Sequence, residues 1–405
     1  MPPVAEPGLR SVLGKPGYRR LWAARTVSQA GDIAQFTTVA LLVFELTGSG
    51  VGVSGVVLAE IAPVLLLAPL AGPLVDRLPR VQVMLGADLV RLLLAATLAM
   101  WHTDVAAVYA VAFGLSAGSV FFSPAAGSLL PTLVDDDELV AANSGIWSAA
   151  VLTQVLLAPL AGLLATTAGF GWAFAANAAS FGLSALLLQG LTGEAPRPIV
   201  TASIWTQGVE ALRLLGGDRL LRALALAQAL AALSAGATSA LLVVLAYQHL
   251  DVSGGGYGLM LAAIGTGAFC GPLLLSRLAA QARRPRAVFG AFGLRGLVDV
   301  VLATVTALPA ALGALVLYGV GTSVGNVSFS SLIQSHVPAG LRGRVFSAFD
   351  LIWQTMRLAS LLLGGVLADT YGIRSVYYTG GVLLLVAAFA GLRAGGATYI
   401  ATKPT

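Results

Sequence analysis

The chain has 405 residues, 57% of them hydrophobic and only 10% charged, with a mean hydropathy of +0.88. An ordinary soluble domain carries roughly a quarter charged residues, so a water-soluble globular protein is excluded. The net charge of +5 is dispersed among short breaks and forms no basic patch interleaved with aromatics, which argues against nucleic-acid binding.

Residues 1–19 hold Pro, Gly and basic residues without an apolar signal-peptide core, and are expected to be a cytoplasmic tail. Apolar stretches then recur, each near or above the roughly 18 residues a membrane helix requires. They predict twelve spans at 20–46, 51–75, 81–101, 104–130, 139–168, 170–190, 220–248, 254–279, 286–307, 308–334, 342–369 and 371–393. The fold class is therefore an all-α membrane protein. Two six-helix bundles at 20–190 and 220–393 flank a linker at 191–219, and residues 394–405 form a second tail. The linker contains an amphipathic stretch, IWTQGVEALRLL, suited to a membrane surface.

Orientation follows from the arginines and lysines, which resist translocation. The first tail supplies Arg10, Lys15, Arg19 and Arg20, and the breaks after the second, sixth, eighth and tenth spans are also basic. The opposite side carries Arg374 alone, at the very start of the twelfth span, so both termini are expected in the cytoplasm. The acidic run VDDDE before the fifth span is the exception on the basic side.

The halves repeat. Gly72-Pro73-Leu74 followed by Arg77 recurs as Gly271-Pro272-Leu273 followed by Arg277, and GLLATTAG from Gly162 corresponds to GVLADTYG from Gly365. A parallel repeat of six helices suits a transporter whose halves rock about a central site.

Between the second and third spans stand Gly72, Leu74, Asp76, Arg77 and Arg80. They resemble motif A of the major facilitator superfamily, G-x-L-x-D-R-x-G-R-R/K, with Pro79 and Val81 in place of its glycine and last base. The resemblance implies a cytoplasmic gate at Gly72, Asp76, Arg77 and Arg80. Segments from Tyr18 to Asp32, Ala87 to Leu94, Ser123 to Ser144 and Gln334 to Ala348 are similar to the macrolide-efflux and siderophore-exporter branch of drug:proton antiporters. The proline motif of the fifth span survives only as Ala158-Pro159-Leu160-Ala161-Gly162, and the arginine expected on the fourth span is missing.

Ionisable groups at mid-membrane are costly and usually face a cavity or a partner. Asp32 lies about 18 Å into the first span at 1.5 Å per residue, on a face with Arg25, Ser28, Gln29, Gln35 and Phe36. It is a candidate for proton coupling, or else a packing acid. Glu60 is a second candidate, or a packing or lipid-edge residue. Arg357, with Trp353 and Gln354 on the same span, could bind an anionic group or neutralise Asp32 or Glu60. Gln29, Trp147, Gln154 and Asn326 complete the candidate substrate cavity, although either Trp could equally be an interfacial anchor. Asp88 with Arg91, and Arg295 with Asp299, form intrahelical opposite-charge pairs at corresponding places in the halves, read as structural or gate-associated.

No catalytic constellation accompanies these charges, the three histidines lack metal-ligand spacing, and Cys270 is the one cysteine. The expectation is a non-enzymatic carrier without metal or cofactor. It would be a monomer in the bacterial cytoplasmic membrane, exporting a small amphipathic molecule by alternating access with a coupling proton. The alternatives are an uptake carrier or facilitator on the same fold, or a non-transporting membrane receptor or assembly factor.

Overall fold

A computed structural model describes residues 9–75, 77–191, 216–276, 285–337 and 339–401, which are helical apart from short connections and contain no strand. Among the described residues, twelve helices are long and apolar enough to cross a membrane. They are α1 (Pro16–Thr47), α2 (Gly50–Val75), α3 (Arg80–Met100), α4 (Val105–Leu129), α5 (Leu139–Thr167), α6 (Phe170–Leu188), α7 (Arg219–Ala240), α8 (Gly254–Ser276), α9 (Pro285–Thr304), α10 (Leu308–His336), α11 (Ala339–Tyr371) and α12 (Ile373–Ala401). Two expectations change. The seventh span is helical only to Ala240, because Leu241 leaves the helical well (φ −89°, ψ 14°) and a separate short helix, Leu242–Gln248, follows. The twelfth continues to Ala401, through most of the stretch assigned to a terminal tail. The expected linker falls largely on residues 192–215, outside the described residues.

Helices dominate because hydrocarbon offers backbone amides no water, so each must bond within its own segment. Hydroxyls inside the helices return to the preceding turn. Thr26 donates to the Trp22 carbonyl at 2.8 Å, Thr153 to Ala149 at 2.6 Å and Thr266 to Ala262 at 2.9 Å. Where a helix begins, an acid covers free amides: Asp104 accepts from Ala106 and Ala107, and Asp218 from Leu220 and Leu221. The repeated GLLATTAG and GVLADTYG segments end on Gly169 (φ 99°) and Gly372 (φ 80°), which reverse the chain between α5 and α6 and between α11 and α12. A positive φ of this kind favours glycine, so the repeat in sequence is a repeat of the same turn.

By its contacts the chain divides into two compact units. The first holds α1, most of α2, and α3 to α6; the second holds α7 to α12 together with Thr47–Gly55. Those nine residues include the start of α2, whose amides at Gly50 and Val51 donate to the Asp369 carboxylate at 2.6 and 3.2 Å, with Ser49 Oγ at 2.5 Å. In the first unit α3 packs on α4 and α6; in the second α9 packs on α10 and α12. Tyr18 and Trp22 of α1 donate to the carbonyls of Ala142 and Gly145 in α5, at 2.9 and 3.1 Å.

The acidic run ahead of α5 has a structural partner. Lys15 lies against both Asp135, at 2.6 Å, and Glu138, which also accepts from Ser11 Oγ at 2.7 Å. The hydrogen bonds from Lys15 and Ser11 hold the Glu138 carboxyl below its usual range, and those to Asp135 and Glu138 hold Lys15 above its own. The short helix Leu9–Leu13, whose Val12 is fully buried, is thus fastened to the first unit.

This packing has two measurable consequences. A Cβ on Gly267 of α8 would lie 1.9 Å from the Val316 carbonyl of α10, whereas one on Gly313 meets nothing within 4 Å. Gly267→Ala should therefore cost about 1–3 kcal/mol through forced separation of the two helices. Gly313→Ala should be neutral or slightly stabilising, and thermal unfolding of the purified variants in detergent compares them. The second concerns pH. A depressed carboxyl stabilises above the unfolded value near 4.3 and loses its contribution as pH falls through the folded value. A raised lysine contributes below about 10.4 and is lost as pH rises through its folded value. Protection of the amides at residues 9–15, taken relative to their intrinsic exchange rate at each pH, should be greatest between these limits and fall in acid, and Glu138→Gln should abolish the acid limb.

Candidate functional site

In the first unit three charges converge, and only two of them were paired by sequence spacing. Arg91 of α3 is 2% exposed, and one guanidinium nitrogen contacts Asp88 Oδ1, a turn earlier on the same helix. Asp88 is completely buried and also accepts from Ser184 Oγ of α6 at 2.6 Å. The other terminal nitrogen of Arg91 donates to Ser119 Oγ of α4 at 3.3 Å and lies 3.7 Å from Asp32 of α1. The rings of Phe122 and Phe181 stand 4.7 and 4.4 Å from the guanidinium carbon, where their π faces favour a cation. A Cβ on Gly118 would come within 2.7 Å of Arg91 Cγ, so the arginine stem occupies room that only glycine leaves.

The two acids are held differently. Asp88 is enclosed, hydrogen-bonded on both oxygens and in direct contact with the cation. Asp32 is partly buried as a whole, but its side chain is 44% exposed and meets Arg91 only at ion-pair distance. Bringing a charge to a place where it can lose or gain a proton is easier where it is open and loosely held; locking it in place serves packing. The guanidinium beside Asp32 is thus Arg91, a residue assigned by spacing to a separate intrahelical pair.

The polar stripe of α1 divides in two. Ser28, Gly31 and Gln35 face the interior, where Gln35 accepts from Asn177 Nδ2 of α6 at 3.0 Å and Gly31 packs against Ser180. Arg25, Gln29, Asp32 and Phe36 occupy the more open side. Glu60 of α2 is partly buried, and its carbonyl accepts from Ser116 Oγ at 2.5 Å. Trp147 of α5 is exposed and Gln154 partly so.

The second unit holds a related arrangement with a different outcome. Arg295 of α9 is 5% exposed, its stem packs on Gly321 of α10, and its guanidinium donates to Tyr318 Oη at 2.9 Å while lying 4.8 Å from that ring. Asp299, fully buried, accepts from Ser234 Oγ of α7 at 3.3 Å, and its Oδ1 has no partner among the described residues. No ion pair within 4 Å joins Arg295 to Asp299 among the described residues. The tyrosine stands in for the acid. A cavity of about 20 Å³ touches Asp299, Thr238, Tyr318 and Tyr377, room for a single water. Of the other candidates, Asn326 is exposed, Gln354 and Arg357 are partly buried, and Trp353 packs against the core around Phe329 and Phe349. Gln354 Oε1 is buried without a partner among the described residues.

For the gate motif, Asp76 lies outside the described residues, as does the side-chain environment of Gly72. Arg77 is exposed, and Arg80 opens α3 with its Nε buried. The serines and aromatics around Arg91 were missed by sequence reasoning. The signal available was arithmetic: two acids and one arginine at similar depth in one unit require shared neutralisation.

Two bundles of apolar helices with buried charges define a transporter fold of the major facilitator type. The solved structure of a nucleoside transporter, NupG, superimposes with a TM-score of 0.77 at 14% identity, covering 93% of this chain and 98% of that one. The chain belongs to the transmembrane secretion effector family of these transporters, whose model matches residues 10–397. It is 23% identical over 388 residues to the uncharacterized MFS-type transporter YfiS of Bacillus subtilis (strain 168), covering 91% of each. It is also 29% identical over 126 residues to macrolide efflux protein A of Streptococcus pyogenes, covering 30% of this chain and 31% of that protein.

The buried pair yields a direct test. Arg91→Met leaves Asp88 enclosed without its cation and should cost about 3–5 kcal/mol, read as lost thermal stability and aggregated protein on gel filtration. The double variant Asp88→Asn/Arg91→Met removes both charges and should recover most of that loss. A single variant as stable as the parent would show the pair to be dispensable for folding.

Proposed function

We propose that this protein is a secondary exporter of small amphipathic molecules, working by alternating access and coupled to protons through Asp32. The observation that carries the proposal is the unequal grip of Arg91 on its two acids. A carrier needs a site that can exchange a proton without dismantling the helices around it. Asp32 is open and at ion-pair distance only, so neutralising it leaves the Asp88–Arg91–Ser184 contacts intact. When Asp32 is ionised it draws on Arg91; when it is protonated the arginine reverts wholly to Asp88. The acid's two states thereby change the charge presented on the Arg25, Gln29 and Phe36 side of α1, where an amphipathic substrate would find amide, aromatic and charged contacts.

Export, rather than uptake, is supported by the family to which the chain belongs and by its partial similarity to a macrolide efflux protein. The excess of arginines on one side of the spans supports cytoplasmic termini, with Asp76, Arg77 and Arg80 acting there as a conformational gate. Glu60 of α2 is the alternative proton carrier.

Asp32→Asn copies the protonated acid in shape and charge. In proteoliposomes, with a radiolabelled macrolide as first probe and compounds from an accumulation screen thereafter, it should retain exchange between equilibrated compartments. Uptake driven by an imposed pH difference should fall at least about tenfold, as loss of a coupling step of about 1.4 kcal/mol or more requires. Glu60→Gln, assayed alongside, should keep gradient-driven uptake. Full retention by Asp32→Asn with loss in Glu60→Gln would move the coupling site to α2, and retention in both would remove proton coupling from these acids.

A further inference from the structure

The second unit carries a groove that the transport reading does not use. It runs between the first half of α7 and the middle of α12, has a volume of about 250 Å³, and is lined by Arg219, Arg222, Leu226, Leu230, Ala387 and Gly391 among others. The four α7 residues follow i, i+3, i+7 and i+11 spacing and so lie along one face. That face changes character abruptly: two guanidinium groups at its start, then only hydrocarbon, the whole running about 16 Å at 1.5 Å per residue. Small residues on α12 make the trough, and Leu226 is 59% exposed within it.

The arginines stand out because, among the described residues, no protein group neutralises them. Neither Arg219 nor Arg222 has an ion pair or a side-chain hydrogen bond among the described residues. The adjacent acid, Asp218, is already engaged: its Oδ1 accepts from the amides of Leu220 and Leu221 at 2.7 and 2.9 Å, and its Oδ2 meets His336 Nε2 at 3.0 Å. Although burial opposes ionisation of Asp218, these bonds outweigh it and keep the carboxyl below its usual range. It stays an occupied anion that leaves both arginines available to another.

We propose that this groove binds an anionic phospholipid, its phosphate between Arg219 and Arg222 and one acyl chain along Leu226 and Leu230. The charge pattern selects the class. A phosphodiester meets two cations at the membrane surface, and a continuous apolar trough beneath them suits a chain of fixed length rather than a soluble anion. A zwitterionic lipid brings its ammonium to the same arginines and is disfavoured.

The test uses the full-length protein in detergent, exchanged against dioleoyl phosphatidylglycerol or dioleoyl phosphatidylcholine and analysed by native mass spectrometry. The parent should retain one phosphatidylglycerol at concentrations where phosphatidylcholine is lost. Arg219→Gln/Arg222→Gln should weaken that retention about thirty-fold, since each basic residue near an anionic lipid contributes roughly fivefold. Arg10→Gln/Arg19→Gln, which removes the same charge elsewhere, should leave it unchanged. Equal retention of both lipids, or an equal loss in the two double variants, would overturn the proposal in favour of diffuse attraction. A photoreactive benzoylphenylalanine at Leu226 should add the mass of one phosphatidylglycerol on irradiation. Cross-linking instead to residues 192–215 would overturn it by assigning the groove to the chain's own linker.

Discussion

Hydrocarbon gives polar groups nothing to bond to, and the whole molecule is arranged around that deficit. Backbone amides are satisfied within twelve helices, threonine hydroxyls bond to the turn behind them, and helix starts that emerge from the apolar region take a carboxylate as cap. Helices already satisfied in this way attract each other through close packing and a few interhelical hydrogen bonds, which explains the dependence on glycine. At Gly267 and Gly319 the backbones of α8 and α10 approach until no side chain fits between them. Apolar area does not drive association in a solvent that is itself apolar, so contact distance takes its place.

The same deficit governs the charges. Arg91 is tolerable inside the first unit because an acid, a serine and two aromatic faces surround it, the acid itself being held by a second serine. What makes the cluster functional in our reading is a remainder: after Asp88 has taken its share, one guanidinium nitrogen is left near Asp32, which is open. In the second unit the corresponding arginine meets, among the described residues, a tyrosine hydroxyl and its ring, and the acid a turn away is turned to a serine on another helix. Among the described residues, the first unit thus combines an open acid with a fixed cation where the second does not, and the asymmetry between halves is one of chemistry on a shared scaffold.

Much of the architecture was legible in the residues. Spans of the right length and the duplicated GLLATTAG and GVLADTYG segments led to twelve helices in two repeated sets, and the transporter fold bears this out. What failed to show was neighbourhood. Helical spacing places Asp32 on a face of α1, but it cannot say that α3 brings Arg91 to that face or that Gln35, one turn on, turns inward to Asn177. A helix that is apolar on every side has no polar edge from which to infer its orientation. Lys15 and Glu138 illustrate a different loss: an acidic run judged against a topology rule looked anomalous, while its meaning lay in a lysine more than a hundred residues earlier. The break at Leu241 was hidden because leucine carries no signal for leaving a helix.

The seat beneath each buried arginine bears on how the two halves should be compared. Arg91 rests against Gly118 and Arg295 against Gly321, each glycine on the helix that follows its arginine, so the halves share a notch and the cation that fills it. The acids do not share this correspondence: one precedes its arginine by three residues and the other follows by four. Between the halves, the shape of the notch is the same while the placing of the counter-charge is not. The two halves are then better matched through the residues that leave space than through those that carry charge.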